Sequence, residues 1–344
     1  MTPWNGVHAA TMPWLLLFLA ASSAAAQTSR FTESDVVFQN GGVELHGTLM
    51  LPAAGGPHPA VVFLHGSGPS TRAGARGYAE EFARIGVASL FFDKRGSGSS
   101  GGSWITSSLD DLAGDALAAI GFLKARSEVD TARIGLWGVS QAGWVATVAA
   151  SRSRDVGFLI LVSGGGATPL ESERFSYNRA FDQGGFTAEE KAEASAILDM
   201  YFRYLATGEA RSELVARIAK ARAGSLSPLA EQLDRILPSE ENRVNWSWVA
   251  TWDPLPAIAR ISCPLLLMFG DRDNDHPTTV AVQKWRTGLA QAGNARATIM
   301  IFPGAAHGIR MSDVHRGTGR APFADGYIDA MLGWLWRNVV DPRE

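Results

Sequence analysis

Short runs of consecutive apolar residues alternate along this chain with segments whose apolar positions recur every three or four residues. The runs Ala60–His65 (AVVFLH), Val87–Asp93, Ile134–Val139, Phe158–Ser163, Leu265–Phe269 and Thr298–Phe302 suit strands buried on both faces of a parallel sheet. Two more strands are predicted over Val36–Phe38 and Val43–Met50. Asn40-Gly41-Gly42 joins them as a hairpin, because Asn-Gly accepts the positive φ angles of a tight turn. Leu109, Leu112, Ala116, Ile120 and Leu123 form one helical stripe, with Ser107 or Ser108 placed to cap it and Asp110 and Asp111 at its positive end. Strands alternating with helices imply right-handed crossovers, hence an α/β fold with a mostly parallel eight-stranded sheet flanked by helices.

The rhythm is interrupted across residues 168–251, where no strong strand run occurs and Thr187–Tyr204 and Ser212–Arg222 read as amphipathic helices. This block is expected to be a helical cap or lid inserted into a core made of residues 27–167 and 252–344, lying beside the strand ends where ligands bind. Near the N-terminus, the apolar run Trp14–Ala21 precedes the small residues Ser22–Ala26, and Ala24-Ala25-Ala26 before Gln27 forms an Ala-x-Ala cleavage site. Residues 1–26 are therefore read as a signal peptide and the protein as periplasmic or secreted, although residues 1–13 lack the usual Lys or Arg. An apolar run this short does not span a bilayer, which takes about 20 residues, so no stable membrane span is expected.

A chain of 344 residues that is 46% hydrophobic can bury a sizeable core without staples. Its single cysteine, Cys263, excludes an intramolecular disulfide framework and any multi-cysteine metal site. The net charge of −3 comes from interspersed acidic and basic residues, which offers nucleic acid no basic surface.

The chemistry-bearing residues sit at strand ends. Gly138-Val139-Ser140-Gln141-Ala142-Gly143 follows one apolar run and opens a helix of small residues. A serine on a sharp strand-to-helix turn projects its hydroxyl clear of the sheet, with a helix N-terminus behind it. The usual motif has Gly where Ala142 stands. His65-Gly66-Ser67-Gly68-Pro69 follows an earlier strand, and its backbone can approach a substrate oxyanion; the Ser67 N–H, then that of Gly66, is paired with the N–H of Gln141 as oxyanion hole. His65 reads as structural, and His46 and His58 as surface or packing residues. His307, just past the last strand, is the candidate base, with His315 in reserve. Gly270-Asp271-Arg272-Asp273-Asn274-Asp275-His276-Pro277 supplies the acid. Its Asp-x-Asp-x-Asp spacing imitates the start of a calcium loop, but no bidentate Glu closes the set, so no metal is expected. Asp273 is the preferred acid, and Asp271 and Asp275 are assigned to local hydrogen bonding. The order Ser140, Asp273, His307 is one of the three known triad orders.

Four motifs in order (HGSGP, DKRGSGSSGG at 93–102, GVSQAG, and GDRDNDHP with its downstream histidine) resemble those of the α/β-hydrolase superfamily, in its serine esterase and peptidase-like branch. The resemblance covers nearly all of residues 32–340. It implies Ser140 as nucleophile, Asp273 as acid and His307 as base, and a structural role for Asp93, Arg95, Gly96 and Gly98. The expected activity is hydrolysis of a small-molecule carboxylic ester through an acyl-enzyme, with no cofactor. A peptidase or amidase, or an acyltransferase, would use the same triad; the presence of all three members argues against a non-catalytic binding protein. Trp104, Trp246 and Trp252 are candidates to line an acyl pocket or to pack the cap onto the core. The cap glutamates Glu171, Glu173, Glu189, Glu190 and Glu193 are assigned mostly to polar helix faces.

Overall fold

Residues 30–53, 55–311 and 321–342 are described by the computed structural model of the chain. The candidate signal peptide and His315 lie outside them. Eight strands make one sheet: β1 (Phe31–Asn40), β2 (Val43–Pro52), β3 (His58–Phe63), β4 (Ala88–Phe92), β5 (Val129–Val139), β6 (Phe158–Val162), β7 (Leu265–Gly270) and β8 (Ala297–Phe302). Their spatial order is β1-β2-β4-β3-β5-β6-β7-β8. β2 pairs antiparallel with β1 and β4, and the other neighbours are parallel.

The apolar runs become strands because both faces of the sheet are covered. β3, β4, β6 and β7 are buried at every position. On one face, α2 (Leu109–Lys124), α3 (Ala142–Arg152), α10 (Leu255–Ile258) and α11 (Thr278–Gln291) contribute to one apolar cluster. On the other, α1 (Arg76–Arg84) and α12 (Tyr327–Leu335) contribute to a second. Ser108 begins α2 with a capping box: its side chain accepts from the Asp111 N–H, and the Asp111 carboxylate accepts from the Ser108 N–H. Strand ends differ most from the sequence reading at three places, one of them β5, which starts at Val129 rather than Ile134. β1 starts at Phe31 rather than Val36, because ladder pairing with β2 holds residues 31–35 although most face solvent. β3 spans His58–Phe63 rather than Ala60–His65, and His58 is buried within it.

Between β6 and β7 the chain is helical: α4 (Pro169–Gln183), α5 (Ala188–Thr207), α6 (Arg211–Ala221), α7 (Ser227–Ile236), α8 (Arg243–Trp246) and α9 (Trp248–Thr251). Thr168 with Glu171 and Thr187 with Glu190 form the capping boxes that start α4 and α5. Tyr177, Ile197, Leu198, Tyr201, Leu214 and Leu233 belong to an apolar cluster of this block's own. Two sets of polar contacts fasten the block to the core. At one end, Ser172 on α4 meets His276 at 2.8 Å and Glu171 accepts from Lys284 at 2.7 Å. At the other, Asn245 donates to the Thr106 carbonyl at 2.8 Å and Trp246 Nε1 donates to the Ile105 carbonyl. Among the described residues, no helix is long and apolar enough to cross a membrane.

Candidate active site

Ser140 lies between β5 and α3 with φ of +62°, the left-handed conformation that costs an ordinary side chain about 1–2 kcal/mol. The turn is tolerated because its neighbours lack bulk. A Cβ on Gly138 would stand 2.2 Å from that of Ala142, and one on Gly164 would stand 2.2 Å from the Ser140 carbonyl oxygen. Alanine replaces the customary glycine at 142 because glycine at 138 leaves room for its methyl group. Ser163, at the end of β6, accepts from the Gly308 N–H at 3.1 Å and so steadies the turn that carries His307.

The acid loop follows β7. Asp273 accepts from the N–H groups of Asp275 and His276, each at 2.9 Å, and from His307 Nδ1 at 2.9 and 3.0 Å. Burial pushes the Asp273 pKa up, but the His307 hydrogen bond and charge, with the two backbone donors, outweigh it and hold the carboxyl below its ordinary value. For His307, burial acts to lower the pKa, and the hydrogen bond and charge of Asp273 more than offset it, so the imidazole titrates above its ordinary value. With Nδ1–H donated to Asp273, Nε2 is left as the basic nitrogen. The flanking acids do different work: Asp271 accepts from the Gly304 N–H at 2.7 Å, and Asp275 from Ser176 Oγ at 3.2 Å. Ligand atoms of Asp273, Asp275 and His307 lie within 4.8 Å of one another. The three N–H donors already converging on Asp273 suit the orienting of an imidazole rather than the holding of a cation. Among the described residues Ser140 Oγ makes no hydrogen bond.

Two other histidines are structural. His65 Nε2 donates to the Phe92 carbonyl at 2.7 Å, and burial drives its pKa down to about 4. His276 Nε2 donates to the Gly165 carbonyl at 2.8 Å, so the neutral ring accepts from Ser172 at Nδ1; burial again pulls its pKa to about 4.

The N–H groups of Ser67 and Gln141 have no hydrogen-bond partner among the described residues. Both residues line a cavity of about 200 Å³ beneath the helical block. A wider polar hollow of about 500 Å³, lined by Arg152, Arg154, Arg260 and Arg296, lies at the opposite ends of the strands, away from Ser140. Four tryptophans wall the smaller cavity in sequence of contact. Trp104 meets Trp246 at 6.3 Å, Trp246 stacks on Trp248 at 6.4 Å, and Trp248 meets Trp144 at 6.1 Å between ring centres. Trp252 stands apart from this wall and packs against the core instead, whereas Trp144 and Trp248 join it.

Two cavity residues carry chemistry that the sequence pattern does not signal. Lys94, 3% exposed, donates to the Gly66 carbonyl at 2.8 Å, the Gly68 carbonyl at 3.1 Å and Gln141 Oε1 at 2.8 Å. Burial lowers its pKa to about 8, against the opposing pull of Asp115. Its neighbours in the 93–102 loop brace the fold: Asp93 accepts from the N–H groups of Arg72 and Ser99, and Arg95 pairs with buried Asp115 at 2.5 Å. Glu173 differs from three other glutamates of the block. Glu171, Glu190 and Glu193 are engaged by Lys284, Thr187 and Arg217, while Glu173 lines the cavity with no hydrogen-bond or ion-pair partner among the described residues.

The sequence matches the alpha/beta hydrolase family over residues 61–317. It is 35% identical over 133 residues to the thiohydrolase aneE of Aspergillus aculeatus, which covers 38% of this chain and 41% of that protein. It is 32% identical over 126 residues to the quorum-quenching protein AidA of Acinetobacter baumannii, covering 35% of this chain and 40% of that one. The chain thus spans under half the length of these curated relatives. The esterase Pf2001 of Pyrococcus furiosus superposes with a TM-score of 0.61 at 19% identity, over 90% of this chain and 92% of that one. Strand order, elbow and loop placement agree with the family match, and the chain belongs to the alpha/beta hydrolase family.

Proposed function

We propose that the protein is a serine hydrolase that cleaves small-molecule carboxylic esters through an acyl-enzyme. The observation that carries this reading is the His307–Asp273 pair, at 2.9 Å, on loops at the same strand ends as the left-handed Ser140. Ser140 Oγ attacks the ester carbonyl carbon while His307 Nε2 takes its proton. The negative charge that develops on the carbonyl oxygen is met by the N–H groups of Ser67 or Gly66 and of Gln141. Collapse expels the alcohol, protonated by His307, and leaves the acyl group on Ser140. Water activated by the same imidazole then releases the acid. Asp273 stays ionised throughout and holds Nδ1–H in place. The route requires no cofactor. Similarity to proteins named as a thiohydrolase and an esterase supports hydrolytic chemistry.

In this reading residues 168–251 are the cap that excludes water and shapes the pocket, with Trp104 and Trp246 as pocket walls, and residues 1–26 direct export. Fluorophosphonate labelling together with turnover of p-nitrophenyl esters tests the chemistry. Covalent labelling that disappears in Ser140→Ala is expected, and labelling that persists would overturn the assignment. A mature form beginning at Gln27, read by mass spectrometry of the secreted or periplasmic fraction, tests export.

A further inference from the structure

We infer that Glu173 recognises a protonated amine, so that the substrates of this site carry an ammonium group; this rests on the serine-hydrolase reading of the adjoining residues. Glu173 projects from α4 into the cavity that Ser67 and Gln141 line from the core side. A carboxylate placed in a cavity without a partner is costly unless something brings one. The cavity's own cation does not: the three acceptors of Lys94 are Gly66, Gly68 and Gln141, and its ammonium also stands 5.7 Å over the Trp104 ring. The remaining titratable groups around Glu173 do not neutralise it either. Asp275, from the acid loop, adds negative charge, and Tyr177 and Tyr201 stay as neutral phenols because burial raises their pKa. Together they leave Glu173 short of a cation, and burial with the Asp275 charge lifts its pKa to about 7.

The rest of the cavity favours an ammonium over other donors. Trp246, Trp248 and Trp144 present aromatic rings on the same space, and cations are attracted to such faces. A carboxylate facing tryptophans across a cavity of about 200 Å³ suits a compact cationic group. An anionic substrate would meet an unpaired carboxylate with no free positive side chain to offset it.

The test compares two ligands of nearly the same shape, benzylammonium and benzyl alcohol, by calorimetry and as inhibitors of p-nitrophenyl butanoate turnover at pH 8. In the wild type benzylammonium should bind tighter by about tenfold or more, the worth of a hydrogen bond to a charged group. Glu173→Gln should bring the two ligands to within about threefold. Equal binding of the two by the wild type, or an unchanged ratio in Glu173→Gln, would overturn the inference. If that variant does not fold, the wild-type ratio at pH 6 takes its place: protonation of Glu173 should collapse it, and a ratio that holds overturns the inference. Failure of the hydrolase reading shows separately, as absence of fluorophosphonate labelling at Ser140, and calorimetry of the two ligands needs no turnover.

Discussion

Lys94 Nζ donates to Gln141 Oε1 at 2.8 Å while also holding the carbonyls of Gly66 and Gly68. One buried ammonium thereby fixes the distance between the loop after β3 and the residue that precedes α3. In the proposed mechanism those are the two segments whose N–H groups converge on one oxygen.

Lys94→Met keeps the length and apolar stem and removes the three donors. It should lower kcat by roughly 10- to 100-fold, since misplacement on the order of 1 Å costs that much. KM for a short ester should change little, and steady-state kinetics on p-nitrophenyl acetate read both. A kcat within a factor of about two of wild type would show that the two loops hold their spacing unaided.

Ser140→Ala should abolish ester turnover, by about 10⁴-fold or more, with the fold intact. Ser140→Gly should be equally inactive yet more stable than the wild type by about 1 kcal/mol, because glycine adopts φ of +62° without the Cβ clash. Denaturant melts of the two variants side by side check the difference.

The acid and its neighbours are separable. Asp273→Asn should cost roughly 10³–10⁴-fold in kcat by favouring the wrong imidazole tautomer, whereas Asp271→Asn should cost little. The pH profile carries a sign as well. In the proposed mechanism His307 works unprotonated as the base, and Asp273 raises its pKa. The acid limb of kcat/KM should therefore lie above pH 6.5 in the wild type and move to lower pH, at much reduced height, in Asp273→Asn.

The tryptophans divide by position. Trp246→Ala removes cavity wall and should shift relative rates among esters of rising chain length by about 1–3 kcal/mol. Trp252→Ala removes packing against the core. It should lower Tm while leaving chain-length preference as it was, and equal effects of the two variants on preference would contradict the placement.

His276 makes stability fall on acidification. Its folded pKa is depressed to about 4, so between there and the ordinary value of 6.5 the unfolded chain binds a proton that the folded chain does not. Its contribution is fully present above pH 6.5 and is lost as pH falls, with a slope of about 1.4 kcal/mol per pH unit. Chemical denaturation at pH 7 and pH 5 should show the loss, and His276→Asn should reduce it.

The sheet was legible because buried parallel strands are written as unbroken apolar runs, and six of the eight were read in this way, while antiparallel β1 and β2 were read from the Asn-Gly turn that joins them. Residues 31–35 were not, since an edge strand held by ladder hydrogen bonds can be polar at nearly every position. Ser140, Asp273 and His307 stood out because each follows an apolar run within a glycine-rich loop, a pattern that survives translation into one dimension. Lys94 and Glu173 left no such mark. Lys94 sits among residues that brace a loop, and its role exists only through carbonyls 26 and 28 residues away. Glu173 belongs to a polar stretch of α4, and the cavity it faces is closed by helices from the far end of the same block. For Trp252 the sequence left pocket wall and packing open, because three tryptophans within seven residues look alike; Trp246 and Trp248 sit on the cavity, whereas the chain leaves the helix at Trp252 and its ring packs against the core.

The polar stitching between α4 and the acid loop bears on how this architecture can be recombined. Ser172, Ser176 and Arg179 on α4 reach His276, Asp275 and Asn274 in turn. The residues immediately after the orienting carboxylate are thus the mooring points of the helical block. Grafting a foreign block between β6 and β7 would strand His276 in the interior with half its partners gone and loosen the loop that aims His307. A chimera that carries residues 274–276 along with its block keeps both ends of each contact, so the exchangeable module of this scaffold is discontinuous in sequence.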